Sequence, residues 1–98
     1  MKMLLVIYSE ALDEDVITAL EAIGVECFTR WTNVHGRGKK AGLRMDTAVW
    51  PGGNSVSMFV LPDDMARKAM EVIRGLREKT GSEGVSAKAF LLNVEDKT

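Results

Sequence analysis

The hydrophobic positions change period repeatedly along the chain, and each change marks an element boundary. Met3-Leu4-Leu5-Val6-Ile7-Tyr8 is a continuous apolar run. It predicts a central strand, because strands covered on both faces lose polar alternation. From Leu12 the spacing becomes three and four, and Leu12, Val16, Ala19, Leu20 and Ile23 fall on one stripe of a helix. Asp13, Glu14 and Asp15 occupy its first turn, where negative charge suits the macrodipole. Gly24 closes it, since glycine takes the left-handed conformation without a Cβ clash. Val25 to Val34 predicts a second strand from its β-favouring Phe28, Thr29, Trp31 and Thr32.

Gly36, Gly38 and Gly42 then predict a loop, Leu43 to Trp50 an extended arm, and Pro51-Gly52-Gly53-Asn54 a turn. Ser55 to Leu61 alternates, with Val56, Met58 and Val60 facing one way, and predicts a strand. Pro62-Asp63-Asp64 opens a second helix whose stripe is Met65, Ala69, Val72, Ile73 and Leu76. Arg67, Lys68, Arg74 and Arg77 form its solvated face. Thr80 to Gly84 ends that helix, and Ala87 to Val94 supplies the last strand. The order βαββαβ predicts an α+β, ferredoxin-like fold: an antiparallel four-stranded sheet with two helices on one face. The other face still carries apolar side chains, so homo-oligomerisation through it is expected.

A chain of 98 residues makes a single domain spanning 1–98. The net charge of −1 argues against a nucleic-acid binder driven by phosphate neutralisation. Cys27 is the single cysteine, so no internal disulfide or paired-thiol metal site is available. That fits a reducing, cytoplasmic location. No apolar run approaches the roughly 18 residues of a membrane span, so no membrane insertion is expected.

The sharpest local feature is Val34-His35-Gly36-Arg37-Gly38-Lys39-Lys40-Ala41-Gly42. Closely spaced glycines let backbone amides approach an anion, and the adjacent cations add attraction. A phosphate or carboxylate is the natural guest; the alternative is a solvated turn. The run lacks the spacing of a P-loop and leads into extended chain rather than a helix, unlike a dinucleotide-binding glycine motif. Lys88, just past the Thr80 to Gly84 loop, is a further cation that a neighbouring subunit's glycine loop could meet. The alternative there is an exposed lysine. His35 and Cys27 lack a third partner for a zinc site. Cys27 is expected to be buried, and Met58, Met65 and Met70 to lie in the core. Trp31 and Trp50 flank the glycine loop, where they could stack on a base or fill a subunit interface; interface burial is the expectation. No catalytic constellation emerges, which predicts a non-enzyme.

These residues resemble the nitrogen regulatory PII signalling family. Gly24-Val25 through Thr29, then Val34-x-Gly36-x-Gly38-Lys39-Lys40-x-Gly42, is similar to the second strand and T-loop base of that family. Val60-Leu61-Pro62-Asp63 resembles its entry to the second helix. Thr80-Gly81 and Lys88-Ala89-Phe90-Leu91 resemble its B-loop and last strand. The resemblance implies a homotrimer with ligand sites in the subunit clefts, built from Gly36, Arg37, Gly38 and Lys39 with Lys88 as the B-loop contact. It names ATP, ADP or AMP as candidate ligands without an obligatory cofactor. It also implies a target protein, a transporter or enzyme, contacted through the 42–54 loop. That loop is shorter than in the main family and contains no tyrosine. Val85-Ser86-Ala87 stands where the family has a glycine-rich triplet, and Lys40 where it has a glutamine. Two alternatives stand beside this reading. One is a metal-binding trimer similar to the CutA proteins, using His35, Cys27 or methionines. The other is a ligand-free interaction module that docks its Trp50-Pro51-Gly52 arm on a transporter.

Overall fold

A computed structural model describes residues 1–38, 42–44, 53–80 and 87–98. Strand β1 (Lys2–Ser9) leads through a short 3-10 turn (Glu10–Leu12) into helix α1 (Asp13–Glu21). Strand β2 (Thr29–Val34) follows, then the short strands β3 (Gly36–Gly38) and β4 (Gly42–Arg44). Strand β5 (Asn54–Leu61), helix α2 (Asp63–Thr80) and strand β6 (Ala87–Asn93) complete the chain. The main sheet has the order β2-β5-β1-β6, and its pairings are antiparallel. This is the ferredoxin-like α+β arrangement expected from the element order, with both helices on one face.

Helix α1 ends as its glycine predicts. Gly24 sits at φ +92°, its N–H donates to the Glu21 carbonyl, and the Val25 N–H donates to the Leu20 carbonyl. That pair of bonds closes the helix in a Schellman motif and buries Val25 against the core. Val25 therefore belongs to the turn, and β2 begins four residues later than the β-favouring composition suggests. Helix α2 carries Asp63 and Asp64 in its first turn and Arg77 and Lys79 in its last, both suited to the macrodipole. The Met1 ammonium donates to Asp63 Oδ1 at 2.5 Å and holds that carboxyl below its usual range.

The core lies between the helices and one face of the sheet. Leu4, Val6 and Tyr8 of β1 point into it beside Phe59 of β5, against Leu12, Val16, Leu20, Ala66, Ala69 and Ile73. Burying a side chain such as Leu4 or Phe59 contributes about 1.5–3 kcal/mol. The alternation of β5 runs opposite to a simple apolar-in reading. Ser55, Ser57, Phe59 and Leu61 are buried, whereas Val56, Met58 and Val60 face the open side. Met58 is thus not a core residue: it pairs with Leu5, whose side is opposite that of Leu4 and Val6. Met65 and Met70 do pack against the core, partly buried.

Register arranges the open face into rows. One row reads Val60, Met3, Leu92; the next Met58, Leu5, Phe90; the next Trp31, Val56, Ile7, Lys88. Of these, Trp31, Val60, Phe90 and Leu92 are large apolar side chains exposed to between 40% and 49%. Monomeric proteins rarely leave so contiguous an apolar surface uncovered.

Candidate ligand site at the glycine hairpin

The site grows from the edge strand β2 and the side chains that hold it. Tyr8 is fully buried, and its hydroxyl donates to Asp13 Oδ1 at 2.6 Å and lies 2.8 Å from Ser57 Oγ. Asp13 Oδ2 accepts from Arg30 Nη1 at 2.7 Å. This chain of contacts ties β1, α1, β5 and β2 together. Burial, followed by the hydrogen bond to the Asp13 carboxylate, pushes the Tyr8 hydroxyl up to about 12. Arg30 also lies over the Phe28 ring, 5.7 Å from its centroid, and Phe28 packs on Phe59 at 5.9 Å. The N-terminal half of β2 is therefore pinned on its helix-side face.

Beyond Trp31 the register shifts. Trp31 pairs with Val56 and Val34 with Asn54, so Thr32 and Asn33 together oppose Ser55. This is a β-bulge, a device that bends the bulged strand and re-aims the chain beyond it. Asn33 sits at φ +56°, in the left-handed region that asparagine tolerates better than most residues. The strand then enters the glycine segment. Gly36 to Gly38 and Gly42 to Arg44 form a two-stranded antiparallel ribbon, with Gly36 opposite Arg44 and Gly38 opposite Gly42. The glycine-rich stretch is thus a hairpin, where glycine spacing alone predicted an irregular loop. Asn54 closes its base: a Cβ added to Gly36 would lie 3.7 Å from Asn54 Nδ2. Among the described residues, Asn54 Oδ1 and Ser55 Oγ are buried polar atoms without a hydrogen-bond partner. Such atoms are places for a water or a ligand group.

Of the residues singled out from the sequence, Gly36, Arg37 and Gly38 lie together in β3. Lys39, Lys40 and most of the 42–54 arm lie outside the described residues, as does the segment 81–86. Lys88 is the second residue of β6, exposed on the open face opposite Ile7. Strands β6 and β2 are the two edges of the sheet, so about 14 Å of strand spacing separates Lys88 from the hairpin's parent strand. One chain does not bring the two halves of the expected site together. Cys27 is exposed rather than buried, and it and His35 stand on either side of β2. Among the described residues, no group of three His, Cys, Asp or Glu is placed to hold a metal ion. No helix among them is long and apolar enough to cross a membrane.

The Tyr8-Asp13-Arg30-Ser57 network and the Asn33 bulge are absent from a reading by sequence pattern, and Asn54, read there as part of a turn, opens β5. An asparagine in a β-rich run was the available signal for the bulge.

A family model described as nitrogen regulatory protein P-II matches residues 1–98. The chain belongs to the P-II family. PII-like proteins with known structures share its fold. The P-II-like protein CPII from Thiomonas intermedia, bound to ADP and bicarbonate, superposes with a TM-score of 0.75 at 19% identity, covering 95% of this chain and 84% of that one. The same protein bound to ADP, AMP and bicarbonate gives 0.76 at the same identity and coverage. A putative PII-like signaling protein from Thermus thermophilus gives 0.65 at 16% identity, covering 95% of this chain and 85% of that one. No curated protein matches the chain in sequence. As a P-II protein, the chain belongs to a family of signalling proteins.

Proposed function

We propose that this P-II protein is a non-enzymatic, cytoplasmic sensor that binds an adenine nucleotide in clefts between copies of itself. Residues 1–98 act as one domain, the assembly is a homotrimer, and the 42–54 arm carries the signal to a target protein. Gly36, Arg37, Gly38 and Lys39 of one copy hold the phosphate end, and Lys88 of a neighbouring copy completes the site. The observation that carries this reading is that Lys88 and β2, the strand that leads into the hairpin, stand at opposite edges of one sheet. Two cationic elements of one anion site that cannot meet within a chain meet across an interface, and the apolar open face supplies that interface. The fold shared with CPII, a protein seen with ADP, AMP and bicarbonate, supports the choice of adenine nucleotides and a small anion as ligands.

The test is thermal unfolding with ATP, ADP or AMP, each with and without bicarbonate. A nucleotide at about 100 times its Kd adds about 2.7 kcal/mol of stability. Lys39→Ala and Lys88→Ala are each expected to weaken binding by about 1–3 kcal/mol, the contribution of a charge-assisted hydrogen bond. Full affinity in both variants would remove these cations from the site, and no shift with any nucleotide would remove the nucleotide.

A further inference from the structure

We infer that Trp31 is the side chain on which the base of the nucleotide stacks, an inference that rests on the nucleotide reading above. Strand alternation puts residues three apart on opposite faces, so an unbroken β2 would set Trp31 and Val34 on different sides of the sheet. The bulge reverses this. Trp31 is opposite Val56 and Val34 is opposite Asn54, and Val56 and Asn54 share one face of β5. Trp31 and Val34 therefore line up along the open side of the edge strand, and the hairpin begins beside Asn54, whose Nδ2 would lie 3.7 Å from a Cβ on Gly36. The rows of Trp31 and Asn54 are two residues apart, about 7 Å. Along that line stand an indole, a carboxamide whose Oδ1 has no partner among the described residues, and the glycine hairpin.

The indole is presented for contact. Trp31 is 48% exposed, more than any other large apolar side chain of the described residues except Phe90. Among those residues its ring meets no aromatic or cationic partner, whereas Phe28 and Arg30, on the other face, are paired with one another. The backbone on either side of it is held, by the Arg30–Asp13 bond before and the bulge after. A backbone held in this way lowers the cost of ordering the ring against a flat ligand. Trp31 also occupies the outer end of its row, on an edge strand, whereas the centre of the open face runs through Met58 and Leu5 on the two inner strands. That places it at the rim of a face-to-face contact, beside the cleft rather than within the packed interface.

The experiment uses the full chain with Trp50→Phe, which leaves Trp31 as the single tryptophan. ADP is titrated while Trp31 fluorescence and calorimetric heat are followed, and sedimentation is measured on the same samples. The expected result is quenching of Trp31 in step with the heat. Trp31→Ala should weaken ADP binding about 5- to 100-fold without changing the sedimentation coefficient, and Trp31→Tyr should retain most of the affinity. ADP heat with silent Trp31 fluorescence, or wild-type affinity in Trp31→Ala, would overturn the stacking role and leave the nucleotide site standing. Dissociation of the assembly by Trp31→Ala would also overturn it, making Trp31 an interface residue. No heat from ADP in the parent protein would overturn both the stacking role and the nucleotide reading.

Discussion

Replacing Tyr8 with phenylalanine removes one oxygen atom and strands two partners. Ser57 is fully buried, and with the tyrosine hydroxyl gone its Oγ has no hydrogen-bond partner among the described residues. Asp13 keeps Arg30 but loses the shorter of its two bonds, at 2.6 Å. A hydrogen bond to a charged group is worth about 1.5–3 kcal/mol, and an orphaned buried hydroxyl costs about 1–3 kcal/mol. The desolvation of the deleted hydroxyl partly offsets these, so Tyr8→Phe should cost about 2–3 kcal/mol. In a domain of this size that is a fall in Tm of about 10–20 °C. Ser57→Ala removes the orphan, so the double variant should be more stable than the sum of the single effects by about 1 kcal/mol. Urea denaturation of the four proteins at one fixed concentration measures the cycle. Additive costs, or a Tyr8→Phe cost below about 0.5 kcal/mol, would refute the network.

A second arm of the same experiment is pH. The Tyr8 hydroxyl is raised from its ordinary value of 10.0 to about 12 in the folded protein. Its contribution is fully present below pH 10 and is lost as pH rises towards 12, a change of about 2–3 kcal/mol. Tyr8 is the single tyrosine, so tyrosinate absorbance reads its ionisation directly. Absorbance should stay flat through pH 10 in the folded chain and appear at once on unfolding. A midpoint near 10 in the native protein would contradict the burial argument.

Two further outcomes complete the set. Asn33→Gly should leave stability near wild type while Asn33→Val lowers it by about 1–2 kcal/mol in urea denaturation, because a β-branched side chain is disfavoured at φ +56°; equal effects would remove the left-handed bulge. Phe90→Glu places a charge on the apolar open face, on a side chain 49% exposed, and should convert the proposed homotrimer to monomers in sedimentation with the chain still folded. An unchanged sedimentation coefficient would locate the interface elsewhere.

Much of the fold is written in local pattern. The three-and-four spacing of Leu12, Val16 and Leu20, the closing glycine at 24, and the Pro62-Asp63-Asp64 start of the second helix each act through near neighbours. A reading of adjacent residues therefore recovers them. The alternation of Ser55 to Leu61 marked a strand but could not say which set of side chains meets the helices. Tyr8 settles that, because its buried hydroxyl needs a polar partner across the sheet and Ser57 provides it. The candidate site was legible as a residue inventory only. Gly36, Arg37, Gly38, Lys39 and Lys88 could be named from type and spacing, but the separation of Lys88 from the edge strand that leads into Gly36–Gly38 depends on strand order.

By itself, then, the sequence determined the four main strands and two helices, their order, the family, and the presence of a glycine-rich anion candidate, since each rests on residues a few positions apart. Tertiary structure alone decided that the glycine segment is a hairpin and that an extra residue in β2 turns Trp31 and Val34 to one face. It also decided that Lys88 stands at the far edge of the sheet. These are questions of register and pairing between distant segments. Backbone hydrogen bonding is much the same in each alternative register, and only the packing of side chains brought from opposite ends of the chain selects one.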